Sequence, residues 1–368
     1  MKTVSGHGNY IRGIGLIGQI GEYVAAYGKR ACLFGGKTAL SLVSDPIIKS
    51  LQQHGIEVLP PIWYGGECSE SNIYTLKDRV VEFHPDVLLV AGGGKAIDTV
   101  KALGFLLNLP VIAIPTIAST CAAATCISIL YDDQGEYLEI SRKSKSPDLI
   151  VVDTQVILEA PVRYLTSGIG DTIAKWFESK AANQKAAPNA FNCGAVALAR
   201  FVYELLLKEG KSAAESIDKR VISSELEDVI DAIIVVSGSI SNYGGDDCRT
   251  AAAHAVYSGL TIFPEVHEVY HGEIVAFGIL TQLALEGRPD EEILEVISYY
   301  KQVNLPSTLG EMGIDTSLIT EEQWKTLGSV TVEIEDMANM PFAVTPQMVT
   351  DGIHRADQLG RSEKERSL

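Results

Sequence analysis

The sequence has no excess of positive charge. Lys and Arg number 30 against 47 Asp and Glu in 368 residues, which gives a formal net charge of −17. A protein that binds the phosphate backbone of nucleic acid needs a basic stripe to neutralise it. We therefore expect no nucleic-acid partner.

Long uninterrupted apolar runs are also lacking. A stretch without formal charge lies between Lys101 and Asp132, but Asn108 and two prolines interrupt it. Because a membrane-spanning helix needs about 20 continuous apolar residues, we expect buried strands and turns here, and no membrane partner. The N-terminal segment MKTVSGHGNYIRG contains no apolar signal-peptide core, so we expect a cytoplasmic location.

The six cysteines form no CxxC pair, which is the spacing typical of many zinc and redox sites. Disulfides are rare in proteins that are not exported. We therefore expect six reduced thiols.

The first part of the chain alternates short apolar runs with amphipathic stretches. Nearly continuous apolar runs such as DVLLVA (86–91) are typical of parallel strands that are buried on both faces. Their alternation with helical patterns indicates right-handed β-α-β units, and a turn rich in Asp and Gly (132–135) predicts a β-hairpin. The predicted strands are 30–34, 56–59, 86–91, 111–115, 127–131, 137–140 and 149–153, and the predicted helices are 72–84 and 95–108.

After Pro161 the pattern changes to long helical periods. Because 368 residues exceed the size of an ordinary single core, we predict two domains. They are a Rossmann-like α/β domain with a parallel sheet over 1–158 and an all-helical domain over 159–368. The predicted helices of the second domain are 171–187, 190–209, 226–241, 271–286 and 291–303.

Three glycines follow one of the predicted buried strands. Gly92, Gly93 and Gly94 would let backbone N–H groups approach an anion, and the next helix points its positive end at the same place. Lys95 adds a full charge, and Asp98 belongs to the same motif. The position at the carboxyl end of a strand favours a dinucleotide pyrophosphate site; the alternative is a tight turn without a ligand.

A second polar loop, PTIASTC (115–121), follows the next predicted strand. The hydroxyls of Thr116 and Ser119 could hydrogen-bond a phosphate or a nicotinamide carboxamide. Hydroxyl residues are common in any loop, so an ordinary loop is an equal alternative.

Two histidines and one carboxylate are candidates for a metal site. His254 and His271 stand in a small, apolar segment, and Asp171 follows a glycine in GIGDTIAKW. Imidazole nitrogens plus one carboxylate are a common three-ligand set that leaves one position of a catalytic divalent metal open. Each residue also has a structural alternative, a hydrogen-bonded core histidine or an aspartate that caps a helix.

Six segments of the chain resemble, in the same order, the glycerol dehydrogenase branch of the iron-containing (group III) alcohol dehydrogenases. The fold of that family is shared with dehydroquinate synthase, so the resemblance implies an α/β domain followed by a helical one. The matching segments are GGECS (65–69), GGGKAIDTVKAL (92–103), PTIAST (115–120), GIGDTIAKWFES (168–179), AAAHAVYSGLT (251–261) and YHGEIVAFGILTQL (270–283).

The resemblance implies a zinc or iron ion on Asp171, His254 and His271, which would act in catalysis through the metal. It also implies a nicotinamide dinucleotide, a small-molecule substrate and a homo-oligomer of two to eight chains, because relatives commonly form dimers to octamers. The cofactor-binding residues to which it points are Gly93, Gly94, Lys95, Asp98, Thr116, Ser119, Thr125, Ile127 and Tyr131.

Two positions depart from the glycerol dehydrogenase pattern. The Asp that usually follows PTIAST and binds polyol hydroxyls is Cys121 here; a thiol cannot replace a charged acceptor, and its neutrality makes room for an anionic substrate. The alternative for Cys121 is a small buried apolar residue. After the first predicted strand, the usual Gly-Asp-Lys is replaced by Gly35-Gly36-Lys37, so no acid at position 36 repels the 2′-phosphate of NADP.

We therefore expect an NAD- or NADP-linked oxidoreductase that transfers hydride between the nicotinamide and a small alcohol or 2-hydroxy acid, with a metal as Lewis acid. The segment TCAA (120–123) resembles the hydroxycarboxylate dehydrogenase branch, whose members reduce 2-oxo acids, so reduction of a 2-oxo acid is favoured. The alternative is a glycerol dehydrogenase proper that uses NAD. A lyase of the dehydroquinate synthase type and a non-catalytic nucleotide-binding relative are remote alternatives.

Overall fold

The structure of the chain is a computed structural model that describes residues 4–365. These residues form two compact units. The first takes the chain up to Pro161 together with Ser216–Asn242, and the second takes Val162–Glu215 and the chain from Tyr243 onward. The predicted helical domain over 159–368 therefore includes one segment, 216–242, that packs within the first unit.

The strands of the first unit form two sheets. They are β1 Asn9–Gly13, β2 Arg30–Gly35, β3 Glu57–Val58, β4 Ile62–Trp63, β5 Val87–Gly92, β6 Val111–Pro115, β7 Ser128–Tyr131, β8 Tyr137–Ser141 and β9 Leu149–Asp153. The large sheet is parallel and has seven strands in the order β1-β9-β6-β5-β2, with β3 and β4 both paired to β2. The parallel sheet predicted from the apolar runs is confirmed, whereas β1 and β4 were not predicted.

The helices of both units are numbered in chain order. They are α1 Ile20–Val24, α2 Lys37–Gln53, α3 Glu70–Val80, α4 Gly94–Leu107, α5 Thr154–Glu159, α6 Val162–Ala182, α7 Ala190–Asp218, α8 Ser224–Asp231, α9 Ser237–Gly244, α10 Ala252–Leu260, α11 His271–Leu285, α12 Asp290–Gln302, α13 Glu321–Glu333 and α14 Pro346–Glu365. A π-helical segment, Ala232–Val236, joins α8 to α9. The second unit contains no strand among the described residues, in agreement with the predicted all-helical class.

The core of the first unit lies on the sheet face that α1 and α2 cover. Leu33 of β2 and Leu89 of β5 pack there with Ile47 and Leu51 of α2, and all four are fully buried. Strands buried on both faces need continuous apolar sequence, which is why the central strands were recognisable. β1 is only partly buried and β4 has two residues, so neither shows that pattern.

Three central strands end side by side. Gly35 pairs with Ala91, and Gly92 pairs with Pro115. The N–H of Thr116 then donates to the carbonyl oxygen of Gly92 at 3.2 Å. The glycine-rich turn after β5 and the polar loop after β6 therefore lie at one edge of the sheet, the edge where parallel α/β sheets bind ligands.

The predicted hairpin is confirmed as an antiparallel pair of β7 and β8, with an irregular register at Leu130 and Tyr131. It is attached to the segment before α3, since the N–H of Tyr131 donates to the carbonyl of Cys68 at 2.9 Å and the Ser69 hydroxyl donates to Asp133 at 2.7 Å. The hairpin is thus held over the start of α3.

The predicted start of a helix at Asp171 is wrong, because Asp171 lies in the middle of α6. The glycines before it are helical and serve close packing instead. A Cβ on Gly170 would lie 2.4 Å from the carbonyl oxygen of Gly272 at the start of α11, and a Cβ on Gly272 would lie 1.8 Å from the carbonyl oxygen of Ser167. Glycine at both positions lets the two helices approach backbone to backbone.

One helix of the described part of the chain, α7, is long and apolar enough to cross a membrane by length and composition alone. Core helices of globular proteins satisfy the same criterion, so it identifies no membrane segment by itself.

Candidate functional site

The structure brings together the three residues proposed for a metal. Asp171 comes from α6, His254 from α10, and His271 is the first residue of α11. Their candidate ligand atoms all lie within 4.8 Å of one another. One Asp171 oxygen, Oδ1, is 3.3 Å from Nε2 of His254 and 3.4 Å from Nε2 of His271. Two imidazoles and one carboxylate that converge in this way are a ligand set suited to a divalent metal.

Small residues and one ion pair hold the three helices in place. The glycine contacts between α6 and α11 recur between α10 and α11, where a Cβ on Gly278 would lie 2.3 Å from the carbonyl oxygen of Ala253. Arg163 on α6 binds both carboxylate oxygens of Glu273 on α11, at 2.6 and 2.7 Å. Such a bidentate pair fixes geometry as well as charge, so the ligands rest on a rigid support.

A fourth residue, Glu178, orients His254. Its side chain is fully buried, and Oε2 accepts a hydrogen bond from Nδ1 of His254 at 2.7 Å. Its other oxygen, Oε1, accepts from the N–H groups of Ala251 at 2.7 Å and of His254 at 3.0 Å. Because Nδ1 donates to Glu178, Nε2 is the ring nitrogen that faces Asp171, and outer carboxylates orient histidine ligands of metals in this way.

Sequence reasoning missed Glu178 although a signal for it exists. Asp171 and Glu178 are seven residues apart, which is two turns, so both lie on one face of α6. Lys175 lies on the same face and is also buried. These three residues are the only charges of the segment GIGDTIAKWFES (168–179), and three charges in one line along a helix that is otherwise uncharged over this stretch indicate a site.

The electrostatics of the cluster suit a cation. Burial disfavours a charged imidazole, yet Glu178 and Asp171 raise the pKa of His254 to about 9. Burial likewise opposes ionisation of Asp171, but hydrogen bonds from the two histidines hold the pKa of Asp171 well below its usual value. The carboxylates of Asp171 and Glu178 therefore favour positive charge at the buried cluster. A divalent ion between the imidazoles would be stabilised by the same carboxylates.

The cluster is accessible from one side. The side chains of Asp171 and His254 are 5% and 12% exposed, whereas that of His271 is 32% exposed. The ring of Tyr257 packs edge-on against His271, with the ring centroids 4.3 Å apart. Three protein ligands would leave one position of a four-coordinate ion open, and the exposed side of His271 is where a ligand could approach it.

In the first unit, the structure brings several predicted cofactor residues together. A Cβ on Gly94 would lie 3.1 Å from Oγ1 of Thr120 in the loop after β6, so the two loops touch. Nζ of Lys95 lies 4.8 Å from the centre of the Tyr131 ring and 2.7 Å from Oε1 of Glu67. Glu67 belongs to the GGECS segment but was not singled out from the sequence.

Asp98 is placed differently from the other predicted cofactor residues. It is 5% exposed, its Oδ1 lies 2.7 Å from Nζ of Lys101, and its Oδ2 accepts from the N–H of Ile129 at 2.9 Å. Thr125 and Ile127 also bind Lys101 through their carbonyl oxygens. The side chain of Asp98 thus has protein partners on both oxygens, and direct contact with a cofactor stays a prediction.

The other predicted cofactor and substrate residues lie after the carboxyl ends of β2 and β6. Gly36 follows β2, and the exposed Lys37 places its Nζ 4.4 Å above the ring of Trp63 in β4. Ser119 and Cys121 are half-buried in the loop after β6, and Cys121 directly precedes a short 3₁₀ turn, Ala122–Ala124.

Comparison with known proteins gives consistent results. Residues 8–154 match the iron-containing alcohol dehydrogenase family. The chain is 37% identical over 366 residues to a glycerol dehydrogenase of Escherichia coli O6:H1 (strain CFT073), covering 98% of both chains. It is 32% identical to hydroxycarboxylate dehydrogenase A of Escherichia coli K12, covering 94% of both. A crystal structure of a probable glycerol dehydrogenase from Sinorhizobium meliloti 1021 superposes with a TM-score of 0.89 at 30% identity, covering 98% of this chain and 99% of that one.

Proposed function

We propose a substrate for this chain from the premise that it belongs to the iron-containing alcohol dehydrogenase family. The chain is an alcohol dehydrogenase that uses a nicotinamide dinucleotide and a divalent metal and acts on a small molecule. The substrate that we propose is a 2-hydroxy acid, with reduction of the corresponding 2-oxo acid as the favoured direction.

The observation that carries this proposal is the side chain at position 121. Cys121 directly follows Thr120, whose hydroxyl packs at the glycine-rich turn. A thiol is a weak acceptor and cannot bind two hydroxyls as a carboxylate does. It also leaves no negative charge to repel a substrate carboxylate. Position 121 therefore favours an anionic substrate over a polyol.

For the metal, we propose Zn²⁺ on Asp171, His254 and His271, because this combination of nitrogen and oxygen ligands with one open position is common at catalytic zinc. When bound, the metal would act as a Lewis acid toward the substrate oxygen. The carboxylate of Asp171 would offset part of the positive charge of the ion. Glu178 accepts from Nδ1–H of His254, so that Nε2 is the ring nitrogen that would bind the metal.

For the coenzyme, we propose that NADP(H) is accepted together with NAD(H). With glycine at position 36 there is no carboxylate to repel a 2′-phosphate, and the exposed Lys37 offers a positive charge beside it. The ratio of kcat/KM for NADPH and NADH measures this preference. Lys37→Ala should lower the value for NADPH and leave that for NADH unchanged; a preference for NADH of 100-fold or more in the unaltered enzyme would contradict the proposal.

The substrate proposal is tested by initial rates with zinc-loaded enzyme. We expect faster reduction of 2-oxobutyrate than oxidation of glycerol, each measured with both coenzymes. Cys121→Asp should move the ratio of kcat/KM toward glycerol by about tenfold or more, because the carboxylate restores a strong acceptor. Cys193→Asp, at an exposed cysteine on α7, is the matched control and should leave the ratio unchanged.

A second candidate, glycerol dehydrogenase with NAD, is favoured by the 37% identity over nearly the whole chain. Oxidation of glycerol by the unaltered enzyme at a higher kcat/KM than any 2-hydroxy acid would establish it and overturn the 2-oxo acid proposal.

We also propose a cytoplasmic homo-oligomer of two to eight chains. The large apolar side chains of Phe191, Phe201 and Leu207 on α7 are 43%, 53% and 39% exposed, and association with further copies of the chain would cover exposed apolar side chains of this kind. Light scattering after size exclusion measures the mass; a monomer at micromolar concentration would contradict the proposal.

A further inference from the structure

One lysine is completely buried in the first unit. Lys101 stands in the middle of α4 with none of its side chain exposed. Its ammonium group lies 2.7 Å from Oδ1 of Asp98 one turn earlier. Lysine is almost never fully buried without a partner, and burial of the pair is costly unless further hydrogen bonds satisfy it.

Those further bonds all go to one loop. Nζ of Lys101 donates to the carbonyl oxygens of Ala122 at 2.8 Å, Thr125 at 3.2 Å and Ile127 at 2.5 Å, and it also lies 3.2 Å from the Thr125 hydroxyl. These acceptors belong to residues 121–127, which we call the 121–127 loop. A single ammonium group thus binds three of its backbone carbonyls.

Asp98 extends the same attachment. Its Oδ2 accepts from the N–H of Ile129 at 2.9 Å, and its own carbonyl oxygen accepts from the hydroxyl of Ser128 at 3.0 Å. The first turns of α4 therefore bind the chain from position 122 to position 129. Because α4 begins at the glycine-rich turn, the turn and the 121–127 loop are joined through one rigid helix.

The 121–127 loop is irregular, although Ala124 is fully buried against Gly238. It contains a 3₁₀ turn and no strand. Asn242 binds it at two points, donating to the carbonyl of Ala124 at 2.8 Å and accepting from the N–H of Cys126 at 3.2 Å. Backbone groups outside a helix or a sheet need side-chain hydrogen-bond partners. Lys101 binds three backbone groups of the loop and Asn242 binds two.

We propose that Lys101, with Asp98 as its counter-ion, is a positioning residue that sets the shape of the 121–127 loop. The catalytic consequence rests on the proposed function, in which Cys121 faces the substrate and Thr125 and Ile127 lie along the coenzyme. Displacement of reacting groups by about 1 Å can cost roughly 100-fold in rate. Lys101 acts only through the loop, so it is not a catalytic residue.

Two variants test the proposal. Lys101→Met removes the hydrogen bonds at similar chain length but leaves the charge of Asp98 buried and unpaired, which is strongly destabilising. The double variant Asp98→Asn/Lys101→Met removes both charges and keeps an amide oxygen for the N–H of Ile129. Val100→Ala is the matched control, because Val100 is fully buried on the same helix and its side chain has no polar group to bind the loop.

The first measurement does not depend on activity. Cys121 and Cys126 are half-buried in the loop, whereas Cys32 of the same unit is buried in β2. Alkylation by iodoacetamide, followed for each peptide by mass spectrometry, should be at least tenfold faster at Cys121 and Cys126 in the double variant. Cys32 should react as in the unaltered protein. Rates at Cys121 and Cys126 equal to those of Val100→Ala would overturn the proposal.

The second measurement is kinetic, with zinc-loaded enzyme and 2-oxobutyrate. We expect kcat of the double variant to fall about 100-fold with an unchanged zinc content, and Val100→Ala to stay within about threefold of the unaltered enzyme. A variant with faster alkylation but unchanged kcat would overturn the catalytic part of the proposal. If the unaltered enzyme reduces no 2-oxo acid, the proposed substrate fails, and the alkylation rates still decide the role of Lys101.

Discussion

At the scale of single residues, the candidate metal site depends on a carboxylate outside the ligand set. Glu178 accepts hydrogen bonds from the ring and from the backbone N–H of His254. A histidine with one nitrogen engaged by a carboxylate is fixed in tautomer and orientation and is a better metal ligand. The strength of the site is therefore set in part by a residue that does not face the metal.

Glu178→Gln is expected to weaken zinc binding by about 10- to 100-fold, since the amide retains an acceptor for His254 but loses the charge. The dissociation constant is measured by competition with a chelator of known affinity. Glu311→Gln is the control, because Glu311 is a hydrogen-bonded carboxylate of the second unit outside the cluster, although its side chain is more exposed than that of Glu178. Equal zinc affinities of the two variants would contradict the role of Glu178.

At the scale of elements, the cluster exists because α6 and α10 each approach α11 closely at glycines. Gly170, Gly272 and Gly278 each face a backbone carbonyl of a neighbouring helix at a distance that no Cβ can occupy. These glycines cost helix propensity, about 1 kcal/mol each relative to alanine. The close approach that they permit carries Asp171 and His271 to within reach of one ion.

Gly272→Ala is expected to separate α6 from α11, because its Cβ would overlap the carbonyl oxygen of Ser167. Overpacking of this kind typically costs about 1–3 kcal/mol or more, and the shift should lower both the midpoint of thermal unfolding and the zinc affinity. Gly194→Ala on α7, where a Cβ meets no atom within 4 Å, should instead leave zinc affinity unchanged. Zinc affinity of Gly272→Ala equal to that of Gly194→Ala would contradict this account.

At the scale of the whole molecule, the two candidate sites belong to different units. The candidate metal ligands all belong to the second unit, whereas the glycine-rich turn and the 121–127 loop belong to the first. A ligand that binds only the folded state stabilises the unit that holds it. The metal should therefore mainly stabilise the second unit, and the dinucleotide should mainly stabilise the first.

Removal of the metal with a chelator is expected to raise hydrogen exchange in α6, α10 and α11 and to leave β5, β6 and α4 unchanged. A metal held at 100 times its dissociation constant contributes about 2.7 kcal/mol, so the unfolding midpoint should also fall by several degrees. Exchange is followed by mass spectrometry on peptides from both units, and zinc added back is the control. Equal changes in both units would contradict a metal site confined to the second.

Much of the first unit could be predicted because its signals are local. Strands such as β5 and β6 are continuous apolar runs, and the turn between β7 and β8 is rich in Asp and Gly. Each of these elements can therefore be predicted from a few consecutive residues. β4 was not predicted because a strand of two residues is too short to show an alternating or continuous apolar pattern. Asp171 was placed at a helix start because Gly168 and Gly170 are poor helix formers, and packing against α11 outweighs that local preference.

The sequence by itself determined the kinds of chemistry available, through the glycine-rich turn, the hydroxyl loop and the residue types Asp171, His254 and His271. Only the tertiary structure decided which of these groups meet. Residues from three helices, up to 100 positions apart along the chain, converge because glycines remove the steric barrier between backbones. Lys101 looks like a surface charge in the sequence, since burial and hydrogen-bond partners are properties of packing and not of composition.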